Sequence, residues 1–146
     1  MPYVVLTDLP ADIPPDFICQ ALDDNNDGQP DAGLWDLIAG QVSDEIDSFL
    51  GLRYAVPIPV LAATGNYPAI VLNAGRTLAA EKLYSRRGQT DDKNPWSTRA
   101  QSIRATLRSI AKGDLPLDPT ENRKDPSASV VTQPLQTVGR GTRMAF

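Results

Sequence analysis

The sequence predicts an all-α fold: a small bundle of about four helices with a proline-containing extended arm and a long extended C-terminal tail. Apolar residues recur at helical spacing in several separate stretches, which indicates amphipathic helices. Segments rich in proline, glycine and polar residues separate those stretches. With 146 residues and 41% hydrophobic content, the chain can bury one core. We expect a helical domain over residues 1–113 and an extended C-terminal docking arm over residues 114–146, which is called the tail below.

The first half contains two predicted helices and the proline-containing arm over residues 53–60, which is called the proline arm below. A short helix is expected from about Pro14 to Leu22, because proline is favoured at the first helical position. The second is expected from about Ala32 to Leu50, with Gly51 as its stop. Its apolar side is formed by Leu34, Leu37, Ile38, Val42, Ile46, Phe49 and Leu50. Two prolines in "RYAVPIPV", residues 53–60, then favour an ordered, extended apolar arm.

The second half contains two further predicted helices. One runs from about Tyr67 to Arg86, with Asn66 as a possible N-cap and small residues that permit close packing: Ala74, Gly75, Ala79 and Ala80. The last begins at Asn94-Pro95, as a cap followed by proline, and ends at Lys112 before Gly113. Its apolar stripe is Trp96, Ala100, Ile103, Leu107 and Ile110, and a basic stripe of Arg104, Arg108 and Lys112 lies beside it.

The C-terminal tail has several prolines and glycines and no helical period. Its few large apolar residues cannot offset the ordering of about 33 residues, at roughly 1–2 kcal/mol of backbone entropy each. We therefore expect it to become ordered only on another chain, and the alternative is a loose, solvated tail. Val130, Val131 and Leu135 would add a strand to a partner's sheet edge. Arg140, Arg143 and the terminal Phe146 would complete this docking segment.

The composition argues against an enzyme. The chain has no histidine, so the usual general base, the usual zinc ligand and the Ser-His-Asp arrangement are missing. The single cysteine, Cys19, rules out an internal disulfide. No apolar run approaches the length of a membrane span, and no signal peptide is recognised. We expect no catalytic residue and no membrane association.

Charge is distributed unevenly along the chain. Residues 1–52 contain eleven acidic residues and no lysine or arginine, whereas residues 53–146 contain all 14 basic residues and the other seven acids. Such asymmetry indicates a charged partner or the association of opposite faces of two copies. The alternative is neutralisation within the chain, with one half packed on the other.

The polar segment "DDNNDGQPD", residues 23–31, resembles the start of a calcium loop. Asp23, Asn25 and Asp27 alternate before Gly28, and Asp31 stands at the ninth position. The twelfth position, which should be a bidentate glutamate, is Leu34. The segment therefore predicts either a Ca²⁺ site or a polar turn in which Asp31 caps the following helix. No other cofactor is expected.

One block resembles a known family. In "VSDEIDSFLGLRYAVPIPV", residues 42–60, a helix carries Ile46, Asp47 and Phe49, and Gly51, Arg53-Tyr54 and a proline-interrupted apolar arm follow. This pattern is similar to the head–tail connector proteins of tailed phages, in particular the Mu-like connector family. The order of helices before and after the block agrees with that family over residues 3–117.

The resemblance implies a helical connector domain that forms a ring of twelve copies beneath the portal. Such a ring extends the DNA channel without reading DNA sequence, and it offers a docking surface for the portal and for the next neck or tail protein. The expected location is the neck of the virion, after assembly in the host cytoplasm. No residue of the family pattern is catalytic.

The ring suggests how the charged residues are used. Asp36, Asp44 and Asp47 of one copy would meet Arg104, Arg108 and Lys112 of the next, or the acids would instead face the DNA channel. Two other functions remain open, a calcium-dependent module and a nucleic-acid binder. The single calcium-like loop counts against the first, and the pI of about 4.7 counts against the second.

Overall fold

The structure is a computed structural model, and it describes residues 2–117. This part contains four α-helices and two short 3₁₀ helices, and none of its residues lies in a β-strand. The α-helices are α1 (Pro15–Ala21), α2 (Leu34–Leu50), α3 (Ala69–Arg86) and α4 (Ser97–Lys112), and the 3₁₀ helices are Leu6–Asp8 and Asp91–Lys93. The predicted all-α bundle is confirmed for these residues. Within them, no helix is long and apolar enough to cross a membrane.

Helix α3 is the centre of the bundle. Helices α2, α3 and α4 pack against one another, and α1 packs against α3. The small residues of α3 are buried, as their pattern predicts. A Cβ placed on Gly75 would lie 3.1 Å from the Cβ of Val4, so glycine is what lets the N-terminal segment cross the helix here.

The other two long helices bury one stripe each. The buried residues of α2 are Ile38, Ala39, Val42, Ile46 and Leu50, and those of α4 are Ala100, Ile103, Leu107 and Ile110. Leu37 was expected on the apolar side but is 55% exposed. It lies one residue before Ile38, and therefore about 100° around the helix from the buried stripe.

The helix starts differ from the predictions, because residues other than the expected ones occupy the N-cap positions. Gly33 is the N-cap of α2, with φ of +84°, and the side chain of Asp31 points back into the preceding loop. Pro68, not Asn66, occupies the N-cap position of α3. Asn94 does accept a hydrogen bond from the backbone N–H of Trp96 at 2.9 Å, but in a turn before α4 begins.

The C-terminal ends agree with the predictions. Helix α3 ends at Arg86 and α4 ends at Lys112. Gly113 follows α4 with φ of +94°, a left-handed conformation that glycine adopts without strain. Residues 118–146, which contain most of the predicted arm, lie outside the described residues, so the division at residue 113 stays a prediction.

Candidate functional site

Tyr3 joins three segments of the chain, and its hydrogen-bond partners all lie in the block 42–60. Its hydroxyl donates a hydrogen bond to the carboxylate of Asp47 on α2 and accepts one from the backbone N–H of Ile58 at 2.7 Å. Its own backbone N–H donates to Ser43 Oγ at 3.1 Å. The ring of Tyr3 meets that of Tyr67 edge to face, with centroids 5.0 Å apart. The N-terminal segment, α2 and the proline arm are therefore held together by one buried side chain.

Burial raises the pKa values of both Tyr3 and Asp47. Burial raises the pKa of the Tyr3 hydroxyl, and its hydrogen bond to Asp47 raises that pKa further. Burial also raises the pKa of Asp47, although the hydrogen bond from Tyr3 opposes that change. Tyr3 is therefore the donor at neutral pH. The contact of Asp47 with a neighbouring copy stays a prediction, but its carboxylate already has a partner within the same chain.

Arg53 and Tyr54 hold the end of α4 and the chain that leaves it. The guanidinium of Arg53 lies against Gly113, where an added Cβ would come within 2.9 Å of Arg53 Cζ. Tyr54 is buried, and its hydroxyl accepts a hydrogen bond from the backbone N–H of Leu117 at 3.1 Å. The turn after α2 thus fixes the point at which the chain departs toward the C-terminal tail.

The proline arm and the residue before it expose apolar side chains. Val60 is 48% exposed and Val56 39%, and Leu52, in the turn before the arm, is 77% exposed, whereas Ile58 is buried against the bundle. The Val56–Pro57 peptide bond is cis. The arm is therefore anchored by Ile58, and it presents an apolar edge to the surroundings of the subunit.

Arg104 is the centre of a three-helix ion cluster. Its Nε donates to Glu45 Oε1 at 2.6 Å, and its two Nη atoms donate to the Glu81 carboxylate at 3.0 and 2.6 Å. Lys82 Nζ lies 3.6 Å from Glu45 Oε2. The hydrogen bond with Glu81 raises the pKa of Arg104 further above its ordinary range. A bidentate bond of this kind orients both partners, so the cluster fixes α2, α3 and α4 relative to one another.

The other residues predicted at the inter-subunit contact lie at the surface. Arg108 is exposed, with its guanidinium carbon 5.5 Å from the centre of the Phe49 ring, and Lys112 is exposed at the end of α4. Asp36 and Asp44 are exposed on α2, and no ion pair among the described residues includes them. They line an open cleft of about 460 Å³ beside Gly40. The basic stripe is thus divided: Arg104 is paired within the chain, whereas Arg108 and Lys112 are exposed.

The uneven charge of the sequence is partly neutralised within the chain. Four of the five ion pairs among residues 2–117 join the acidic N-terminal part to the later, basic part. Besides the two made by Glu45, they connect Asp24 to Arg86 at 2.7 Å and Asp8 to Arg76 at 3.9 Å. Acidic residues of the first 52 positions are therefore paired with basic residues of the later part of the chain, as the alternative of neutralisation within the chain predicts. Fewer charged side chains are left unpaired among the described residues.

The calcium-like loop is held together by its own side chains. Asp23 accepts hydrogen bonds from the backbone N–H groups of Asp27 and Gly28, at 3.2 and 2.8 Å. Asn25 accepts one from Asp27 N–H at 2.9 Å, and Asp31 accepts from Asp24 N–H and from the Asn25 amide, both at 2.7 Å. Residues 2–117 contain no group of three or more Cys, Asp or Glu side chains placed to hold a metal ion. The arrangement is that of a polar turn, and the Ca²⁺ hypothesis gains no support from it.

The predicted docking residues of the tail are Val130, Val131, Leu135, Arg140, Arg143 and Phe146, and all of them lie outside the described residues. Their contacts stay a prediction.

Sequence reasoning missed Tyr3, Glu45 and Glu81 as residues that connect the helices and segments of the bundle. Tyr3 forms its hydrogen bonds with residues 40 to 55 positions later in the chain, and Glu81 pairs with a residue 23 positions later. A single sequence carries no local signal for such partners. The one available hint was the aromatic side chain that follows Pro2.

Comparison with known proteins identifies the family. The sequence profile described as "Bacteriophage Mu, Gp36" matches residues 3–133, a stretch that begins at Tyr3 and includes all four helices and the block 42–60. No curated protein and no solved structure matches the chain. The profile covers most of the sequence, well beyond the block that carried the resemblance. The chain therefore belongs to the bacteriophage Mu Gp36 family, and this membership indicates a phage virion or assembly protein.

Proposed function

We propose that this protein is a structural head–tail connector, or adaptor, subunit. Twelve copies form a ring beneath the portal at the neck of the virion, extend the DNA channel and provide the docking surface for the next neck or tail protein. The observation that carries the proposal is the family match over residues 3–133 together with the connector-like block 42–60. The role is structural, and no catalytic step is assigned to the chain.

The surface of the subunit supports this proposal. A closed ring of identical subunits needs two different contact surfaces, because each copy touches its two neighbours through different faces. The exposed apolar side chains of the proline arm, together with Leu52 directly before it, supply one apolar contact surface. Free carboxylates on α2 and free cations on α4 supply charges of opposite sign on different helices.

The experiment is reconstitution of the full chain with the portal protein of the same phage. Negative-stain electron microscopy should show a ring of added density beneath the portal, and light scattering should give twelve copies per portal ring. A phage that lacks the gene should accumulate filled heads and free tails that do not join. Portal rings without added density, together with normal virions from the deletion phage, would overturn the proposal.

Leu52→Asp and Ala63→Asp form a pair for the same assay. Both residues are exposed, so neither change removes a core contact. Leu52 lies directly before the proline arm, and Ala63 lies in the loop after it, where no inter-copy contact is proposed. We expect Leu52→Asp to reduce ring formation on the portal at least tenfold, in line with the loss of about 1.4 kcal/mol or more, and Ala63→Asp to leave it within about twofold.

A further inference from the structure

A cleft between α3 and α4 presents hydrogen-bond donors that have no acceptor. Its volume is about 330 Å³, and its polar lining includes Asn73, Arg76 and Thr77 from α3 and Arg99 and Ser102 from α4. No hydrogen bond among residues 2–117 uses the side-chain amide of Asn73 or the guanidinium of Arg99. Arginine only donates, so the arrangement favours a ligand that accepts.

Arg76, on the α3 side of the cleft, has a buried nitrogen without a hydrogen-bond partner among residues 2–117. Its Nε is the one buried side-chain nitrogen or oxygen in the described part of the chain that lacks a hydrogen-bond partner. Its nearest carboxylate, that of Asp8, is 3.9 Å from Nη2, which is beyond hydrogen-bond distance. Buried donors are almost always paired in folded proteins. The Arg76 side chain lines the cleft and is 43% exposed, so its guanidinium is accessible to an acceptor that enters there.

Arg99 stands on the other wall of the cleft and is held there by an aromatic ring. Its guanidinium carbon lies 4.9 Å from the centre of the Trp96 ring, a cation–π contact that orients the group without neutralising it. No ion pair among the described residues includes Arg99. Two guanidinium groups therefore face one cleft from two helices.

The acids nearby limit the charge that the cleft accepts. Asp12 also lines it, and Asp8 lies beside Arg76. The two cations are thus opposed by two carboxylates, so the cleft offers directed donors with little net positive charge. This suits a singly charged group and disfavours the densely charged backbone of DNA.

We propose that this cleft binds a carboxylate supplied by α2 of a second copy of the chain. That the carboxylate comes from a second copy rests on the ring proposed above. Asp36 and Asp44 are the candidate donors of the carboxylate, since both are exposed, neither is in an ion pair among the described residues, and both lie on a helix that contributes nothing to the cleft. The contact is heterologous, as a closed ring requires.

The first arm of the test uses the full chain without a portal. The Nε–H signals of its arginines are followed by nuclear magnetic resonance while sodium acetate replaces sodium chloride at constant ionic strength. The Arg76 and Arg99 signals should shift and saturate. Arg99→Gln should weaken acetate binding about tenfold, because one charge-assisted contact is lost. The control Arg87→Gln, at an exposed arginine outside the cleft, should leave it unchanged. Acetate shifts that are absent, or that spread equally over all arginines, would overturn the carboxylate site.

The second arm uses charge reversal in the portal reconstitution. Arg99→Glu should abolish ring formation, as should the double variant Asp36→Lys/Asp44→Lys, and the triple combination should restore it. Normal rings from Arg99→Glu would overturn the inter-copy contact and leave the connector proposal standing. If the double variant forms normal rings but blocks DNA passage, the acids face the channel and α2 is not the donor. If the wild-type chain forms no ring on the portal, the connector proposal and the inter-copy contact both fail, while acetate binding still decides whether the cleft is a carboxylate site.

Discussion

At the scale of single residues, the Tyr3 hydroxyl connects more of the structure than its position near the N-terminus suggests. Tyr3→Phe keeps the ring and removes the hydroxyl, so the Ile58 N–H loses its acceptor and Asp47 loses its donor. We expect a loss of about 1–3 kcal/mol in the free energy of unfolding, measured by urea denaturation. Tyr67→Phe is the control, because none of the hydrogen bonds in the described part of the chain uses the Tyr67 hydroxyl. Equal stability of the two variants would contradict this role of the hydroxyl.

Asp47 should also leave a mark on the pH dependence of stability. Its pKa in the folded protein is raised, first by burial and also by the nearby charge of Asp44. A folded state that holds the proton more tightly than the unfolded state becomes less stable as pH rises through the range just above the ordinary aspartate pKa of about 3.9. Asp47→Asn keeps an acceptor for Tyr3 but cannot titrate.

The check is the difference between wild type and Asp47→Asn, measured by urea denaturation between about pH 3 and pH 7. The wild type should lose stability relative to the variant as pH rises in this range and should stay level once the folded protein is fully ionised. A difference that does not vary with pH would show that Asp47 does not titrate with a raised pKa.

At the scale of secondary-structure elements, the Arg104 cluster is the main polar contact between the three long helices. Arg104→Met leaves the carboxylates of Glu45 and Glu81 close together without their shared cation. The three side chains are only 17–23% exposed, so we expect a loss of about 2–4 kcal/mol in the free energy of unfolding. Arg108→Met, one turn later and exposed, should cost less than about 1 kcal/mol.

A triple variant separates charge repulsion from lost packing. Adding Glu45→Gln and Glu81→Gln to Arg104→Met removes both negative charges and should recover part of the stability. A triple variant as unstable as Arg104→Met alone would mean that packing of the arginine stem, and not charge, decides the effect. Reversal of Arg104 to glutamate is also a poor probe of ring contacts, since it would disturb the fold of the subunit itself.

Sequence periodicity predicted the helices better than it predicted how they begin. The buried stripes and the C-terminal ends follow from local rules, as at Gly113, where glycine meets the need for a positive φ. The starts failed because Gly33 and Pro68 occupy the N-cap positions without a side-chain hydrogen bond. The pairing of Arg104 within the chain was missed for a different reason. A helical wheel shows which side of α4 is basic but not that two glutamates of other helices lie opposite it.

At the scale of the whole molecule, residues 2–117 have a continuous core, and the tail is predicted to act on partners. A chain truncated after Leu117 keeps the hydrogen bond from Leu117 to Tyr54. We expect it to retain its helical circular dichroism and a melting temperature within about 4 °C of the full chain, which corresponds to roughly 1 kcal/mol or less. It should fail to bind the portal ring.

A full-length variant tests whether the apolar residues of the tail, and not its length alone, are needed for portal binding. Val130→Asp/Val131→Asp/Leu135→Asp places charges in the segment predicted to add a strand to a partner, and it should bind the portal as poorly as the truncated chain. If truncation instead unfolds residues 2–117, the tail belongs to the core of the domain. Normal portal binding by both variants would refute the docking arm.

The anchoring of Leu117 on Tyr54 has a mechanical consequence. Tension applied to the chain beyond Leu117 enters the subunit at the turn after α2, where Tyr54 is buried and Arg53 lies over Gly113. The last turn of α4 is therefore shielded from unwinding residue by residue, since the pull first has to break a contact with the turn that follows α2. A neighbour that pulls on the tail then loads the ends of two helices, α2 and α4, together.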